Sequence, residues 1–283
     1  MKVSYKGHMG SDLEVVNCAR VSFDGESEWA NQLEYECSLD NPRDYPNYKP
    51  ELKFKDKHLI KFLARGCTTK DWDSLVQNIE DAGYDNASGM NPIEFNLQEL
   101  LMQVKRMPSH WVPFANGGQI KMHFKVPLFV ARQLQKHTAG FNPWSEVSRR
   151  YVDSTPEFYS PDEYRWRSED KKQGSTGVVT TSCVHDKDGE LTHPWHAAED
   201  VNELALQMYH NMIKAKIAPE QARMHLPQSM YTEFVWSGNL YAWASLYNTR
   251  SWGDSQAETA NVAQQIKAIV EPLFPVSWRE LTQ

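Results

Sequence analysis

Arg132, Gln133, Lys136 and His137 lie within a few residues of one another, and Glu146, Ser148, Arg149 and Arg150 follow after a short break. Residues three or four apart are neighbours on a helix, so the first group would occupy adjacent faces of one. A guanidinium grips phosphate through paired N–H donors, and serine hydroxyls or backbone N–H groups complete such a cradle. The chemistry these types suit is therefore the binding of an anion, phosphate above all. The alternative is a solvated basic helix face, which is a common feature.

Two further arginines bear on the same question. Arg223, in Ala222-Arg223-Met224-His225-Leu226-Pro227, sits between apolar positions and is expected to be partly buried, where it would need an anionic partner. That partner is a structural carboxylate or a ligand. Arg250 follows an apolar run and suits a helix C-terminus, which favours a cation. Cys183, His185, His193 and His196 are of metal-ligating types, but their spacing matches none of the usual zinc patterns. No GxSxG elbow, Walker A loop or GxGxxG fingerprint is present.

The elements that must position these residues are legible in part. Ile120, Met122, Phe124 and Val126 alternate with Lys121, His123 and Lys125, which predicts a half-buried strand. Pro127 permits a helix start, and Phe129–His137 reads as a mainly buried helix. Ser109–Phe114 reads as a turn with extended flanks, because Pro113 disfavours helix at Val112. Val15–Ser22 reads as a short strand or helix leading to a polar turn, and residues 24–50 as a loop. Asp56–Gly66 is a short amphipathic helix stopped by Gly66. Two short helices, Trp72–Ile79 and Pro92–Arg106, are expected in an insertion.

Asp153–His196 reads as a long polar loop. Val201, Leu204, Ala205, Met208, Tyr209, Met212 and Ile213 share one helical face. Pro219 opens a short helix that Leu226-Pro227 ends. Tyr231–Trp236 is β-compatible, Gly238–Tyr247 suits a buried helix, and Ser255 with Glu258 forms a capping-box pattern at the head of the last long helix.

The whole chain sets outer limits. Its 283 residues suffice for a sizeable core, and 40% hydrophobic content is ordinary for a folded protein. A net charge of -7 argues against a nucleic-acid or anionic-membrane partner while leaving room for a local basic pocket. No apolar run is of membrane-spanning length, and the first residues lack the apolar segment of a secretory signal. The four cysteines are scattered without a CxxC pair, so free thiols in a reducing cytoplasm are expected.

Taken in order, the motifs resemble the flavin-dependent thymidylate synthases. The family's R-H-R, spacer and N-E-x-S-x-R-Y stand here as Lys136-His137-Thr138 and Ser145-Glu146-Val147-Ser148-Arg149-Arg150-Tyr151. Pro127–Gln133, Ala19-Arg20-Val21-Ser22, the helix around His58-Leu59-Ile60, Pro113-Phe114, Ala222-Arg223 with Leu226-Pro227, Tyr231-Thr232, Asn239, and Arg250 with Gln256 and Glu258 are similar too.

The resemblance implies an α+β fold, with helices packed on a mainly antiparallel sheet in a single domain over 1–283. Insertions fall at about 67–108 and 153–198. It implies a homotetramer with active sites shared between subunits. It also implies reductive methylation of dUMP at C5 to dTMP, with methylenetetrahydrofolate and NADPH as cosubstrates and FAD as cofactor. No metal is implied.

Gln133, Glu146, Ser148, Arg149, Arg150, Arg223 and Arg250 would surround the nucleotide, with Arg150 and Arg223 on its phosphate. Arg250, Ser148 and His110 would serve catalysis. Ser22, Val112, Lys136, His137, Thr138, Glu146, Asn239, Tyr241 and Ser245 fall at flavin positions.

Departures from the family pattern are specific. Lys136 and Thr138 replace the arginines of R-H-R, Ser145 replaces the family Asn, Ala115 an expected Glu, and Tyr241 an expected Arg. Phe141-Asn142-Pro143-Trp144 lengthens the spacer. Fewer cations then face the flavin diphosphate, which leaves FMN as an alternative to FAD. The insertions and the spacer look more like those of virus-encoded members, which implies the host cytoplasm. Such a member could instead hydroxymethylate or hydroxylate dCMP or dUMP. A non-catalytic nucleotide-binding or zinc-stabilised interaction protein is the reading from another class.

Overall fold

The strand that the alternating residues predict runs from Gly118 to Pro127 (β2), and Ile120, Met122, Phe124 and Val126 are all 0% exposed. Tyr231–Asn239 (β8) follows the same period, with Thr232, Phe234 and Trp236 on its buried side. With Lys2–Gly10 (β1) and the two-residue Ser145–Glu146 (β3), these strands form a sheet in the order β1-β2-β8-β3. In β1, Val3, Tyr5 and Met9 alternate with Lys2, Ser4, Lys6 and His8, a period of two that the pattern of residues offered and that was not read as a strand above. β3 runs antiparallel to β8, pairing Ser145 with Val235 and Glu146 with Phe234.

The computed structural model describes residues 1–31, 49–65, 108–151, 154–169, 175–251 and 255–282. The two helices expected at Trp72–Ile79 and Pro92–Arg106, the Gly66 stop and most of the 24–50 loop lie outside them. The chain divides into two units. One comprises Met1–Gly7, Lys121–Gly238 and Leu246–Ile269, and the other His8–Ile120, Asn239–Ser245 and Val270–Gln283.

In the second unit, Val15–Arg20 belongs to a helix, Asp12–Arg20 (α1), and Val21 and Ser22 to the 3-10 turn Val21–Phe23 that follows it. The Asp56 helix forms as Phe54–Ala64 (α2). Ser109–Phe114 is not a turn: it lies in a helix, Pro108–Gly117 (α3), with Pro113 inside it. The missing N–H removes one helical hydrogen bond, but Pro113, Phe114 and Ala115 are buried, and that packing outweighs the local preference. A Cβ at Gly117 would meet Val15 backbone atoms at 2.6 Å, so α1 and α3 touch through glycine. The buried Asp12 accepts N–H bonds from Val276 (2.8 Å) and Ser277 (2.9 Å), and so caps a C-terminal helix, Pro275–Leu281, that the sequence did not signal.

In the first unit, Pro127 precedes a helix at Leu128–Leu134 (α4). It ends earlier than Phe129–His137 predicts, so Lys136 and His137 lie beyond its last turn rather than on its faces. The long polar loop is also corrected: it holds two antiparallel hairpins, Arg165–Arg167 (β4) with Ser175–Val178 (β5) and Val184–His185 (β6) with Leu191–Thr192 (β7). A 21-residue helix, Pro194–Lys214 (α5), begins before the loop was expected to end.

Short helix Pro219–Ala222 (α6) starts at its proline. The buried helix after β8 is Leu240–Arg250 (α7), and the last long one is Ala257–Val270 (α8). The capping box at the head of α8 gives way to longer-range contacts. The Ser255 hydroxyl donates to the Thr249 carbonyl (3.2 Å), and Glu258 pairs with Arg165 (3.1 Å). The result is the expected mixture of helices and antiparallel sheet.

Candidate functional site

Arg250 closes α7, as a cation at a helix C-terminus should. Its Nε donates to His137 Nε2 at 3.0 Å and its terminal nitrogen to the Gln133 carbonyl at 3.2 Å. That carbonyl is in the last turn of α4, where helical partners run out. Partial burial, with the Arg250 charge beside it, pushes the His137 imidazole down to about 4. At neutral pH it is thus an uncharged acceptor for the guanidinium. The Gln133 amide is fixed in turn, because its oxygen accepts from Thr259 (2.8 Å) and its nitrogen donates to Gln256. This network can hold one cation at a set position and leave part of it accessible.

Glu146 is held at both oxygens. Thr232 Oγ1 donates to one at 2.6 Å and Trp144 Nε1 to the other at 3.1 Å. Ser148 Oγ accepts from the Arg150 N–H at 3.3 Å. The Arg149 guanidinium donates to the Ser154 carbonyl. Arg150 donates to Glu220 of α6 at 3.1 Å. Arg223 follows α6 directly in a 3-10 turn, so α6 joins the surroundings of Arg150 to those of Arg223.

Arg223 is exposed, against the expectation of partial burial; its neighbour Met224 is 74% exposed, so apolar flanks do not mark a buried turn here. The exposed Arg150–Glu220 pair contributes little stability, and an arriving anion competes with a weak partner.

Lys136 and Thr138 are both exposed beyond α4. The remaining expected flavin positions belong to the second unit. Ser22 lies in the exposed turn between Arg20, which pairs with the buried Asp56, and Ser27, which the Asn17 side chain brackets. Val112 is 40% exposed on α3. His110, also on α3, has its ring 5.2 Å from that of Phe62. Asn239 is buried, and its oxygen caps α7 by accepting the Ala242 N–H at 2.8 Å. The Tyr241 ring lies 5.6 Å from that of Trp111, and burial raises its hydroxyl pKa. Ser245 is exposed on α7.

The sequence did not single out Thr232, Trp144 or Thr259 for these networks. Thr232 had a usable signal: it is a polar residue at an inward position of a strand with period two, and such a group needs a partner. Trp144 and Thr259 had none.

A cavity of about 370 Å³ opens on the other face of the sheet, lined by His123, Lys125, Arg149, Glu157, Tyr231 and Glu233 among others. Two of its side chains are already engaged, with Lys125 paired to Glu157 at 2.8 Å and His123 Nε2 lying 3.1 Å from a Glu233 oxygen. Val147, like Arg149, lines this cavity. Among the described residues no group of three or more His, Cys, Asp or Glu is placed to hold a metal. His193, one of the zinc candidates, has both ring nitrogens in use, with the Val179 carbonyl at 3.1 Å and the Trp195 N–H at 3.2 Å. Among the described residues no helix is long and apolar enough to cross a membrane.

A family model described as "Thymidylate synthase complementing protein" matches residues 51–276. A flavin-dependent thymidylate synthase of Thermus thermophilus is 33% identical over 159 residues, which are 56% of this chain and 54% of the relative. One from Thermosipho melanesiensis is 31% identical over 180 residues, 64% of this chain and 72% of the relative. The match thus spans about half the length of the Thermus protein. Among solved structures, a UMP/dUMP methylase, PolB, from Streptomyces cacaoi bound with 5-Br UMP superposes with a TM-score of 0.62 at 20% identity, covering 99% of this chain and 93% of that one. The likeness extends over nearly the whole fold.

Proposed function

We propose a function from one premise: the chain belongs to the thymidylate synthase complementing protein family. The reading is flavin-dependent reductive methylation of dUMP at C5 to dTMP. It draws on relatives named flavin-dependent thymidylate synthase at 31–33% identity. The structural observation that carries it is the fixed guanidinium of Arg250, held by neutral His137 and the Gln133 carbonyl. A cation whose position is set in advance stabilises negative charge that develops on a pyrimidine ring as it is activated.

The other residues take supporting parts. Arg150 and Arg223 hold the phosphate, Arg150 exchanging Glu220 for it. Ser148 and the backbone at Arg149 complete the cradle, while Gln133 and Glu146 orient the nucleoside. His110 is assigned a part in catalysis.

Lys136, His137, Thr138 and Glu146 contribute to a flavin site; in the second unit, taken by itself, Ser22, Val112, Asn239, Tyr241 and Ser245 are assigned as cofactor-binding residues. The exposed ammonium of Lys136 and hydroxyl of Thr138 fit a phosphate-bearing flavin as donors, though they grip less firmly than the guanidinium groups they replace. We assign FAD. A bound flavin supplies hydride to the pyrimidine carbon, with NADPH and methylenetetrahydrofolate as the sources of electrons and carbon.

The protein acts as a homotetramer with shared active sites in a cytoplasm. Support for assembly comes from Val201, Leu204 and Met208 of α5, which are 58%, 62% and 46% exposed in the single chain.

Purified protein reconstituted with FAD is expected to be yellow and to convert dUMP to dTMP with methylenetetrahydrofolate and NADPH. A protein that takes up no flavin overturns this reading. So does a product from dUMP or dCMP that gains oxygen without folate.

A further inference from the structure

The four-residue sequence Phe141-Asn142-Pro143-Trp144 lengthens the spacer between the two halves of the site; Asn142 and Pro143 are exposed, while the flanking rings pack back onto the sheet. The Phe141 ring stacks on Trp236 at 4.0 Å, and the Trp144 ring on Phe234, also at 4.0 Å. Phe234 in turn stacks on Phe124 at 5.0 Å, so Trp144 caps a pile of rings rooted in the core. Backbone bonds fix the segment between its two rings. The Asn142 N–H donates to the Ser237 carbonyl at 2.9 Å, and Trp236 Nε1 donates to the Asn142 carbonyl at 2.9 Å. Phe141 also bridges to Gly238, where a Cβ would fall 2.3 Å from its ring. The strand therefore needs glycine for the clip to close.

The chain then enters β3, and Trp144 Nε1 reaches forward to one Glu146 oxygen while Thr232 Oγ1 holds the other. A carboxylate bound at one oxygen can still rotate. Bound at both, by a buried threonine and an indole clamped in a ring stack, it has a set plane and presents its remaining lone pairs in one direction.

We propose that the spacer is an aromatic clip and that Trp144, with Thr232, is a positioning residue that orients Glu146 toward the pyrimidine nucleotide. The proposal rests on the reading above that Glu146 faces that nucleotide. Trp144 need not touch the ligand: its indole N–H sets the angle at which the carboxylate accepts a donor from it. The ring stack supplies stability, and the N–H supplies direction.

The two roles separate by substitution. Trp144→Phe keeps a ring on Phe234 and loses the donor; Thr232→Val keeps shape and loses the hydroxyl; Thr232→Ser keeps the hydroxyl. Titration calorimetry of the flavin-loaded protein with dUMP is expected to show affinity lowered about tenfold in Trp144→Phe and in Thr232→Val, the scale of one hydrogen bond to a charged group. Thr232→Ser is expected to restore it, with melting temperatures of the Phe and Ser variants close to the parent's. In a double-mutant cycle, Trp144→Phe is expected to add nothing to Glu146→Gln, because both act through one carboxylate.

If Glu146→Gln binds dUMP as well as the parent, Glu146 is not at the nucleotide and the clip proposal falls with that reading. If Glu146→Gln weakens binding while Trp144→Phe and Thr232→Val do not, the nucleotide reading stands and the clip is overturned. Independent, additive losses in the cycle overturn it as well.

Discussion

His137 is the residue whose protonation the structure constrains most clearly. Its imidazole accepts from the Arg250 guanidinium, and burial together with that charge depresses its pKa from 6.5 to about 4. The folded chain therefore holds His137 neutral in a range where the unfolded chain protonates it. Stability from this group is complete above pH 6.5, falls as the pH drops toward about 4, and falls no further below that. His137→Gln keeps a carbonyl acceptor for Arg250 and removes the titration. Melting temperatures measured between pH 7 and 4 are expected to fall less steeply in the variant than in the parent. Identical slopes would mean that other groups set the acid sensitivity. A second consequence concerns role: an imidazole occupied by Arg250 serves the guanidinium first, and contact with a cofactor is left to its other edge.

At the scale of elements, the close approach of α1 and α3 is exposed to a single change. Gly117 ends α3, and a methyl group there would press on backbone atoms of Val15 at 2.6 Å and Glu14 at 2.9 Å. Backbone cannot move aside as a flexible side chain does. Gly117→Ala is expected to destabilise the protein by about 1–3 kcal/mol, the range of overpacking in a closed core. Denaturant titration would read this as a lower midpoint with an unchanged slope; an unchanged midpoint would show that the two helices separate freely.

The same two helices show where reading the sequence succeeds and fails. Strand β2 is legible because period two is a local pattern and its four inward residues obey it. Helix α3 is not, since Pro113 argues locally for a break while burial of Phe114 and Ala115 decides the outcome. The end of α4 at Leu134 and the lost capping box at Ser255 and Glu258 have the same cause. Arg250 claims the Gln133 carbonyl, Arg165 claims Glu258, and neither partner lies nearby in sequence. The candidate site could be proposed as a set of residue types, because chemistry restricts which types bind an anion. Its geometry was not, because Thr232 and Thr259 matter only through pairings that form across strands and helices.

For the whole molecule, the unusual surface is one side of α5. The spacing of Val201, Leu204, Ala205, Met208 and Tyr209 places them on one helical face, and such a stripe normally faces the core of its own chain. Here only Tyr209 is fully buried, while Leu204 is 62% exposed and Val201 58%. Upstream residues add to the exposed apolar surface, with Leu191 at 60% and Trp195 at 42%. An exposed apolar stripe beside hairpin β6–β7 is a poor design for a lone chain and a reasonable one for an assembly. The proposed homotetramer uses this face, so a charge placed in it must be desolvated when subunits meet. Leu204→Glu is expected to leave the fold intact, because the side chain is already in solvent within one chain, and to lower the mass measured by light scattering after size exclusion. Catalysis is expected to fall in parallel with that mass if active sites are completed by neighbouring subunits. A variant with full parental mass would exclude this face from the assembly. A dissociated variant with full activity would instead place every catalytic group within one chain.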